Sequence, residues 1–174
     1  MKLHFSYSNE QKEGFETHSP EASCWKASDG AVEEISGTDV LEKVPNLVAF
    51  IDYCYRILKP GGKASFSAPY YASARAWTCP TTVRGMSEPS LNFSNKAWRD
   101  ETKWTEVACD ANFTIEVQFA IELIATTRSD DAKAFWMNKY NNVVQMVVFV
   151  LTKPEDSEAP PELETPTEDP LEAG

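Results

Sequence analysis

The sequence predicts an α/β fold, a sandwich built on a mixed sheet. Strand-like segments alternate with helix-like segments, and a pair of strand-like runs ends the folded part of the chain. Of the 174 residues, 42% are hydrophobic, which is enough for one buried core. No internal repeat is visible. We therefore expect one domain over residues 1–153, followed by a short tail.

The first half of the domain contains three predicted strands and one predicted helix. Between Asn46 and Leu58, apolar residues recur at intervals of three and four, which is typical of one helical face. Pro45 and Asn46 begin this helix. The glycines of Lys59–Gly62 are expected to end it, since glycine readily adopts left-handed backbone. The strands are Lys2–Tyr7, Ala31–Gly37 and Ala64–Ala68.

The second half contains the clearest strand signals. Ile115–Leu123 alternates apolar and largely polar residues, which predicts a long strand that is antiparallel or lies at an edge. Ser129 is a predicted N-cap for a helix that continues to Tyr140. Val143–Leu151 is rich in β-branched residues and predicts a strand buried on both faces.

Charge is distributed unevenly along the chain. The net charge is −11, which argues against binding to nucleic acid or to an anionic membrane. No apolar run is long enough to span a membrane, and the polar start does not resemble a signal peptide, so we expect a cytoplasmic protein. The segment 154–174 has five prolines and no basic residue. We expect this acidic, Pro-rich tail to be disordered unless a partner binds it.

Cysteines and histidines give no metal or nucleophile pattern. The spacing of the four cysteines contains no CxxC pair, so we expect free thiols in a reducing compartment and no metal site. The two histidines, His4 and His18, lie in no arrangement typical of a general base.

Two motifs carry a resemblance to a known family. The sequence reads DVLEKVP over residues 39–45 and YRILKPGGK over residues 55–63. It resembles class I S-adenosylmethionine-dependent methyltransferases in these segments. Further similarity, PYY at 69–71, CPTT at 79–82 and WR at 98–99, is to a subgroup often encoded by bacteriophages. The resemblance implies a Rossmann-like sandwich whose last strand is antiparallel and whose cofactor lies at the carboxyl ends of the first strands.

The cofactor motifs of that family are altered in this sequence. Ser6 and Ser8 stand where the family has two glycines, and Tyr7 stands between them. Ser19 replaces the acidic residue that binds the ribose, although Glu16 or Glu21 are possible substitutes. The segment from Ser19 to Asp29 is too short for the usual helix and third strand, so the N-terminal half is reduced. These vestigial cofactor positions are Ser6, Tyr7, Ser8, Ser19 and Asp29.

Positions that would contact ligands have changed, whereas those that build the fold remain. The resemblance therefore implies a methyltransferase-like domain that has lost cofactor binding and catalysis, with no cofactor expected. Such a domain would serve as a protein-interaction or structural module, and the subgroup suggests a phage-encoded protein with a virion or host protein as partner. The alternative is an active S-adenosylmethionine-dependent methyltransferase. In that case Asp39 and Glu42 would orient a substrate amine; otherwise they belong to a polar turn that caps a helix.

Residues 56–103 carry a net charge of +5 in an otherwise acidic chain. This segment is either a solvated face or a protein-binding surface, for example for the acidic tail of the same or a neighbouring copy. The candidate surface comprises Arg75, Arg84, Lys96, Arg99 and Lys103.

Overall fold

The computed structural model describes residues 1–8, 10–21, 26–121 and 129–155, and in them the expected α/β fold with a mixed sheet is confirmed. The strands are β1 (Lys2–Phe5), β2 (Glu16–His18), β3 (Val32–Thr38), β4 (Leu58–Pro69), β5 (Thr114–Ile121) and β6 (Val144–Thr152). The α-helices are α1 (Leu47–Ile57), α2 (Lys96–Thr102) and α3 (Asp130–Lys139). Two 3-10 helices cover Ala74–Trp77 and Glu88–Ser94.

The sheet has the order β2-β1-β3-β4-β6-β5. The first four strands in this order pair in parallel, and β6 is antiparallel to both β4 and β5. The carboxyl ends of β1, β2, β3, β4 and β5 consequently meet at one side of the sheet, which we call the carboxyl edge. Its turns begin at Ser6, Ser19, Asp39 and Tyr70. Ligands of open α/β sheets bind at this edge.

The connections between the first three strands are short. Ten residues join β1 to β2, and the described residues of the β1–β2 and β2–β3 connections contain no helix. Helix α1 then joins β3 to β4. It begins as predicted, because the Asn46 side chain accepts a hydrogen bond from the Ala49 amide at 3.0 Å.

The core lies between α1 and one face of the sheet. Phe50 of α1 contacts Phe5 of β1 and Phe66 of β4 edge to face, with ring centroids 5.1 and 5.7 Å apart. All three side chains are buried. The periodic apolar positions of the sequence therefore face the sheet, as the helical pattern predicts.

Helix α1 ends before the glycines that were expected to end it. Leu58 already has extended backbone and begins β4, which runs on through Gly61 and Gly62. Pro60 has no amide proton and disfavours helical backbone at Lys59, so the helix stops earlier. Gly61, with φ of 74°, instead allows its amide to donate to the Lys153 carbonyl at 2.9 Å.

The two faces of the sheet differ at its antiparallel end. Alternate residues of β6, including Val147, Phe149 and Leu151, are buried against the core, whereas Val148 and Val150 on the other face are only half-buried. The prediction that this strand is buried on both faces was wrong. The predicted amphipathic strand at the sheet edge is confirmed as β5, which alternates exposed and half-buried side chains.

The remaining predictions concern the C-terminal helix, the tail and the cysteines. Helix α3 follows Ser129, whose hydroxyl accepts from the Ala132 amide at 3.4 Å. Cys54, Cys79 and Cys109 are free thiols, and Cys24 lies outside the described residues. The tail beyond Glu155 also lies outside them. No helix in the described part of the chain is long and apolar enough to cross a membrane.

Candidate functional site

The turn after β1 is held by the side chain of Ser6. The Ser6 Oγ accepts hydrogen bonds from the backbone amides of Ser8 and Glu10, at 3.2 and 3.3 Å. The Oγ atoms of Ser6 and Ser8 are 3.1 Å apart, and Ser6 itself is 4% exposed. The first residue after the strand is thus buried, and its hydroxyl binds the amides of its own turn.

Tyr7 follows Ser6 in this turn and has a partly exposed side chain. Burial raises the pKa of its phenol, and the charges of Glu21 and Glu42 raise it further. The Arg84 guanidinium acts in the opposite direction. The phenol is thus within electrostatic reach of Glu42, in the turn after β3, and of Arg84. Its side chain is about one-third exposed, at 37%.

The end of β2 has Ser19 at the carboxyl edge, with Glu16 before it and Glu21 after it along the chain. The Ser19 hydroxyl accepts from the Glu21 amide at 3.3 Å. The Glu16 carboxylate lies 3.6 Å from His18 Nε2. His4, the other histidine, is buried in β1, where its Nδ1 is 2.9 Å from the Ser36 hydroxyl and burial lowers its pKa.

Asp29 is not brought to the carboxyl edge. It precedes β3 and forms an ion pair with Arg56 of α1. The next residue, Gly30, also joins the start of β3 to the helix, because its amide donates to the Arg56 carbonyl at 3.1 Å. Asp29 therefore has a position suited to fixing the β2–β3 connection rather than to contacting a cofactor.

Asp39 begins the turn after β3 with left-handed backbone, at φ 54°. Aspartate is one of the residue types that tolerate this conformation. Its amide donates to the Ser67 carbonyl at 2.9 Å, and its Oδ2 accepts from Arg75 Nη2 at 3.1 Å. The other carboxylate oxygen, Oδ1, is buried and has no hydrogen-bond partner among the described residues.

Glu42 lies in the same turn and is 2% exposed. Its Oε1 is 3.6 Å from the Lys43 ammonium, and its Oε2 has no hydrogen-bond partner in the described part of the chain. Burial is the main cause that raises the pKa of this carboxyl. The backbone of the residue is well held, since its carbonyl accepts from the amides of Val83 and Arg84 at 2.9 and 3.3 Å.

Asp39 and Glu42 line one cavity of about 340 Å³ at the carboxyl edge. Cys79 lines the same cavity, and a hydrogen bond with the Thr81 hydroxyl, at 3.0 Å, lowers the pKa of its thiol. The lining includes Asp39, Glu42, Lys43, Arg75, Cys79 and Thr82. The structure thus brings together the two carboxylates that the sequence singled out, and adds a thiol and two cations.

The five residues of the candidate basic surface have different roles. Arg84 donates to the carbonyls of Leu41, Val44 and Pro45. Arg99 donates to the carbonyls of Phe93 and Ala111. These two guanidinium groups hold loops, which a count of charges does not reveal.

The other three basic residues are exposed, and they share no contact with one another among the described contacts. Arg75 pairs with Asp39 at the cavity, and Lys96 pairs with Asp100 at 2.6 Å within α2. Lys103 follows α2 with left-handed backbone. Arg75 is therefore the only member of the five that lines the described cavity.

Sequence reasoning missed the link between Arg75 and Asp39, because 35 residues separate them along the chain. Cys79 and Thr82 entered the sequence analysis only as members of the CPTT motif at 79–82. The usable signal was that this motif follows β4 at the same edge as the DVLE segment.

Comparison with known proteins identifies the fold. No protein-family model and no curated sequence matches the chain. Among solved structures, an S-adenosylmethionine-dependent methyltransferase from Archaeoglobus fulgidus is similar, with a TM-score of 0.53 and 13% identity, over 80% of this chain and 68% of that chain. One from Mesorhizobium loti has a TM-score of 0.50 and 11% identity, over 84% of this chain and 74% of that chain. The chain has the fold of class I S-adenosylmethionine-dependent methyltransferases, as the sequence motifs predicted.

Proposed function

We propose that this chain keeps the methyltransferase fold, has lost S-adenosylmethionine binding and catalysis, and acts as a protein-interaction or structural module. The observation that carries the proposal is the hydrogen bonding of Ser6. In the family that the sequence resembles, glycines at this turn let the backbone approach the cofactor. In this chain the turn has serine side chains instead, and the Ser6 hydroxyl accepts hydrogen bonds from two amides of the same turn.

The Ser6 hydroxyl competes with any anionic ligand group at this turn. Free backbone amides are what such a turn offers to a carboxylate or phosphate. Because the amides of Ser8 and Glu10 already donate to Ser6 Oγ, a ligand would have to replace those bonds. The Cβ atoms of Ser6 and Ser8 add bulk at the same place. The turn after β1 therefore does not fit the cofactor.

Tyr7 and Ser19 support the same conclusion. The Tyr7 side chain adds bulk to the turn after β1, and its phenol is within electrostatic reach of Glu42 in the turn after β3. Ser19 occupies the position of the ribose-binding acid, and its hydroxyl accepts from the Glu21 amide. Neither residue offers the pair of acceptors that a ribose diol would need.

Exposed aromatic side chains support a protein partner. Trp77 is 66% exposed and Tyr71 is 48% exposed, and both line a cavity of about 420 Å³. Trp77 is held in place, because its indole N–H donates to the Tyr71 carbonyl at 3.0 Å. Rigid, exposed Trp and Tyr side chains are enriched at the energetic centres of protein interfaces. We propose this surface for the partner in place of the scattered basic residues.

Calorimetric titration of the full chain with S-adenosylmethionine and with S-adenosylhomocysteine tests the loss of cofactor binding. We expect no binding tighter than about 1 mM, a free energy of about −4 kcal/mol. The double variant Ser6→Gly, Ser8→Gly frees the turn, and we expect it to bind more tightly than the wild type. Micromolar binding by the wild-type protein, with a matching rise in melting temperature, would contradict the proposal.

The alternative function is an active methyltransferase that transfers the methyl group by in-line displacement. The observation in its favour is that Asp39 and Glu42 line one cavity at the carboxyl edge, where they could orient an amine. The same titration distinguishes the two functions, since an active enzyme requires the cofactor.

The resemblance to a phage-type subgroup supports a more specific version of the main proposal. In it the chain is phage-encoded, is present in the host cytoplasm, and has a virion or host protein as its partner. Its support is the sequence similarity over residues 69–99.

A further inference from the structure

Two exposed aromatic side chains, Tyr71 and Trp77, line the cavity of about 420 Å³ that follows β4, which we call the Trp77 groove. The fold fixes both residues. The Trp77 indole N–H donates to the Tyr71 carbonyl at 3.0 Å. A side-chain carbon placed at Gly85 would lie 2.9 Å from Tyr71 Cβ and 3.7 Å from the Trp77 ring, so both residues pack against this glycine. Their outer surfaces remain available to a partner.

The turn before β6 completes the lining of the groove with Asn141 and Asn142. Asn142 has left-handed backbone, at φ 63°, and its amide donates to the Ala72 carbonyl at 2.9 Å. Its Oδ1 accepts from the Ala74 amide at 2.6 Å. Asn141 is exposed, so its side-chain amide is accessible to a ligand. A groove held by such bonds loses little conformational entropy when a ligand binds.

The Pro-rich tail contains a segment whose sequence suits an aromatic groove. Pro160, Leu163 and Pro166 recur at intervals of three residues. Pro-rich segments favour the polyproline II helix, which has three residues per turn, so these three side chains share one face. The charged residues between them, Glu162 and Glu164, fall on the other two faces. We call Pro160, Leu163 and Pro166 the apolar face of the tail.

We propose that the Trp77 groove binds the tail of a second copy of this chain, with the apolar face of the tail against the Tyr71 and Trp77 rings. Polyproline II segments bind grooves lined by aromatic side chains. They also have no internal hydrogen bonds, so their carbonyls are available to the Asn141 amide. Because the proposed function assigns this surface to a protein partner, the proposal rests on that function and goes further by naming the partner.

The path of the chain favours a second copy over the same molecule. The tail leaves the sheet beside the start of β4, since the Glu155 side chain lies 3.5 Å from the place of a side-chain carbon at Gly61. Gly61 and Pro69 are eight residues apart along β4, which corresponds to about 26 Å. Pro160 is only five residues beyond Glu155 and reaches at most about 18 Å. It therefore cannot reach the groove that follows Pro69 in its own chain.

Charge complementarity favours the same pairing. The segment 155–174 has eight acidic residues and no basic residue. Arg75 lies in the same 3-10 helix as Trp77, and 54% of its side chain is exposed. Lys139, at the end of α3, is exposed and precedes Asn141 by two residues. Exposed opposite charges steer association and add little affinity, so the aromatic contacts should determine how tightly the tail binds.

Sedimentation of the full chain over a concentration series tests the association. We expect the wild-type protein to self-associate as its concentration rises. Head-to-tail binding leaves one groove and one tail unused in every dimer, so assembly can continue beyond two copies. We expect Trp77→Ala to weaken self-association by at least about tenfold, because an aromatic anchor is lost. The matched control is Phe135→Ala, which removes a side chain that is 54% exposed and does not line the groove.

A variant of the tail tests the apolar face. We expect the triple change Pro160→Ala, Leu163→Ser, Pro166→Ala in the full chain to weaken self-association as strongly as Trp77→Ala does. The matched control is Pro161→Ala, Pro170→Ala, which removes two prolines from another face of the polyproline II helix. This control should associate as the wild type does. Circular dichroism and melting confirm that each variant is folded.

Mixing the two defective proteins gives a readout that loss of folding cannot mimic. The Trp77→Ala protein has an intact tail, and the triple tail variant has an intact groove. We expect the mixture to form a dimer with one copy of each, which cannot grow further. A labelled peptide of residues 157–170 should likewise bind the triple tail variant, and bind at least about tenfold more weakly when Trp77→Ala is added to it.

Three outcomes would overturn the inference. A wild-type protein that stays monomeric at about 1 mM and does not bind the peptide would exclude this use of the groove. Peptide binding without self-association would show that the tail occupies its own groove. Self-association that persists in Trp77→Ala would place the interface elsewhere. Each of these leaves the loss of cofactor binding unaffected, since the titration with S-adenosylmethionine tests that loss separately.

Discussion

The turns after β1 and after β3 lie side by side at the carboxyl edge, yet their polar atoms are satisfied in opposite ways. In the first turn, the Ser6 hydroxyl accepts two amides of the turn itself. In the second turn, Asp39 Oδ1 and Glu42 Oε2 have no hydrogen-bond partner in the described residues. A turn that binds its own donors has few left for an anionic ligand, whereas unused acceptors can bind a donor. The comparison predicts that the two turns depend on different residues for their stability.

The second turn can leave one oxygen of each carboxylate unpaired because another segment holds its backbone. Arg84 donates to the carbonyls of Leu41, Val44 and Pro45, and its own amide donates to the Glu42 carbonyl at 3.3 Å. The side chain of Asp39 or Glu42 is therefore not needed to cap the turn. The backbone of this turn is therefore held by a residue from outside it.

The largest effect is expected from removing that outside support. Arg84→Ala leaves the carbonyls of Leu41, Val44 and Pro45 without their charged donor. Hydrogen bonds to a charged group contribute about 1.5–3 kcal/mol, so we expect the free energy of unfolding to fall by about 2–3 kcal/mol. Urea denaturation of the two proteins measures the difference.

The control for this variant is Lys96→Ala. The Lys96 side chain is 61% exposed and pairs only with Asp100 one helical turn away in the contacts described, a pair that contributes less than about 0.5 kcal/mol. Equal destabilisation by the two variants would mean that losing a positive charge lowers the free energy of unfolding by itself, and that the hydrogen bonds of Arg84 to the turn add nothing.

A smaller effect is expected from the pH dependence of stability at Glu42. The pKa of this carboxyl is raised above its usual 4.5 in the folded protein, mainly by burial. The folded state therefore holds a proton that the unfolded state has released, and the free energy of unfolding falls as the pH rises from about 4.5 through the raised pKa. Glu42→Gln removes this group, so the fall in that window should be shallower.

Denaturation at a series of pH values measures the slope, and Glu116→Gln, an exposed carboxyl on β5, is the matched control. An identical slope in wild type and Glu42→Gln would show that the side chain is ionised and paired, which would end the contrast between the two turns.

The elements that the sequence predicted well are those specified by local patterns. Helix α1 has its apolar period and its Asn46 cap within a dozen residues, and β5 has a plain alternation. The end of α1 was misplaced because the glycines are conspicuous, although Pro60 restricts Lys59 first. The burial of the second face of β6 was predicted wrongly because it depends on which elements pack against that face of the sheet. A β-branched residue such as Val148 or Val150 favours a strand equally well whether its side chain lies on a covered or an uncovered face.

The candidate site was predictable in part for the same reason. Asp39 and Glu42 are three residues apart in one motif, so their association could be read along the chain. The functions of Arg84 and Arg99 could not, because their donors bind carbonyls that only the fold brings near. The positive net charge over residues 56–103 suggested a protein-binding surface. In the structure, part of that charge belongs to Arg84 and Arg99, which bind loop carbonyls.

The smallest effect is expected in the first turn. Ser6→Ala removes the acceptor of the Ser8 and Glu10 amides, which lie near solvent on exposed residues. Since water can replace a lost acceptor there, we expect the free energy of unfolding to fall by only about 0.5–1 kcal/mol. The matched control is Ser28→Ala, at an exposed position before β3, which should change it by less. A loss as large as that of Arg84→Ala would mean that the first turn, too, depends on one residue for its fold, and that its hydroxyl is retained for stability and has no bearing on ligand exclusion.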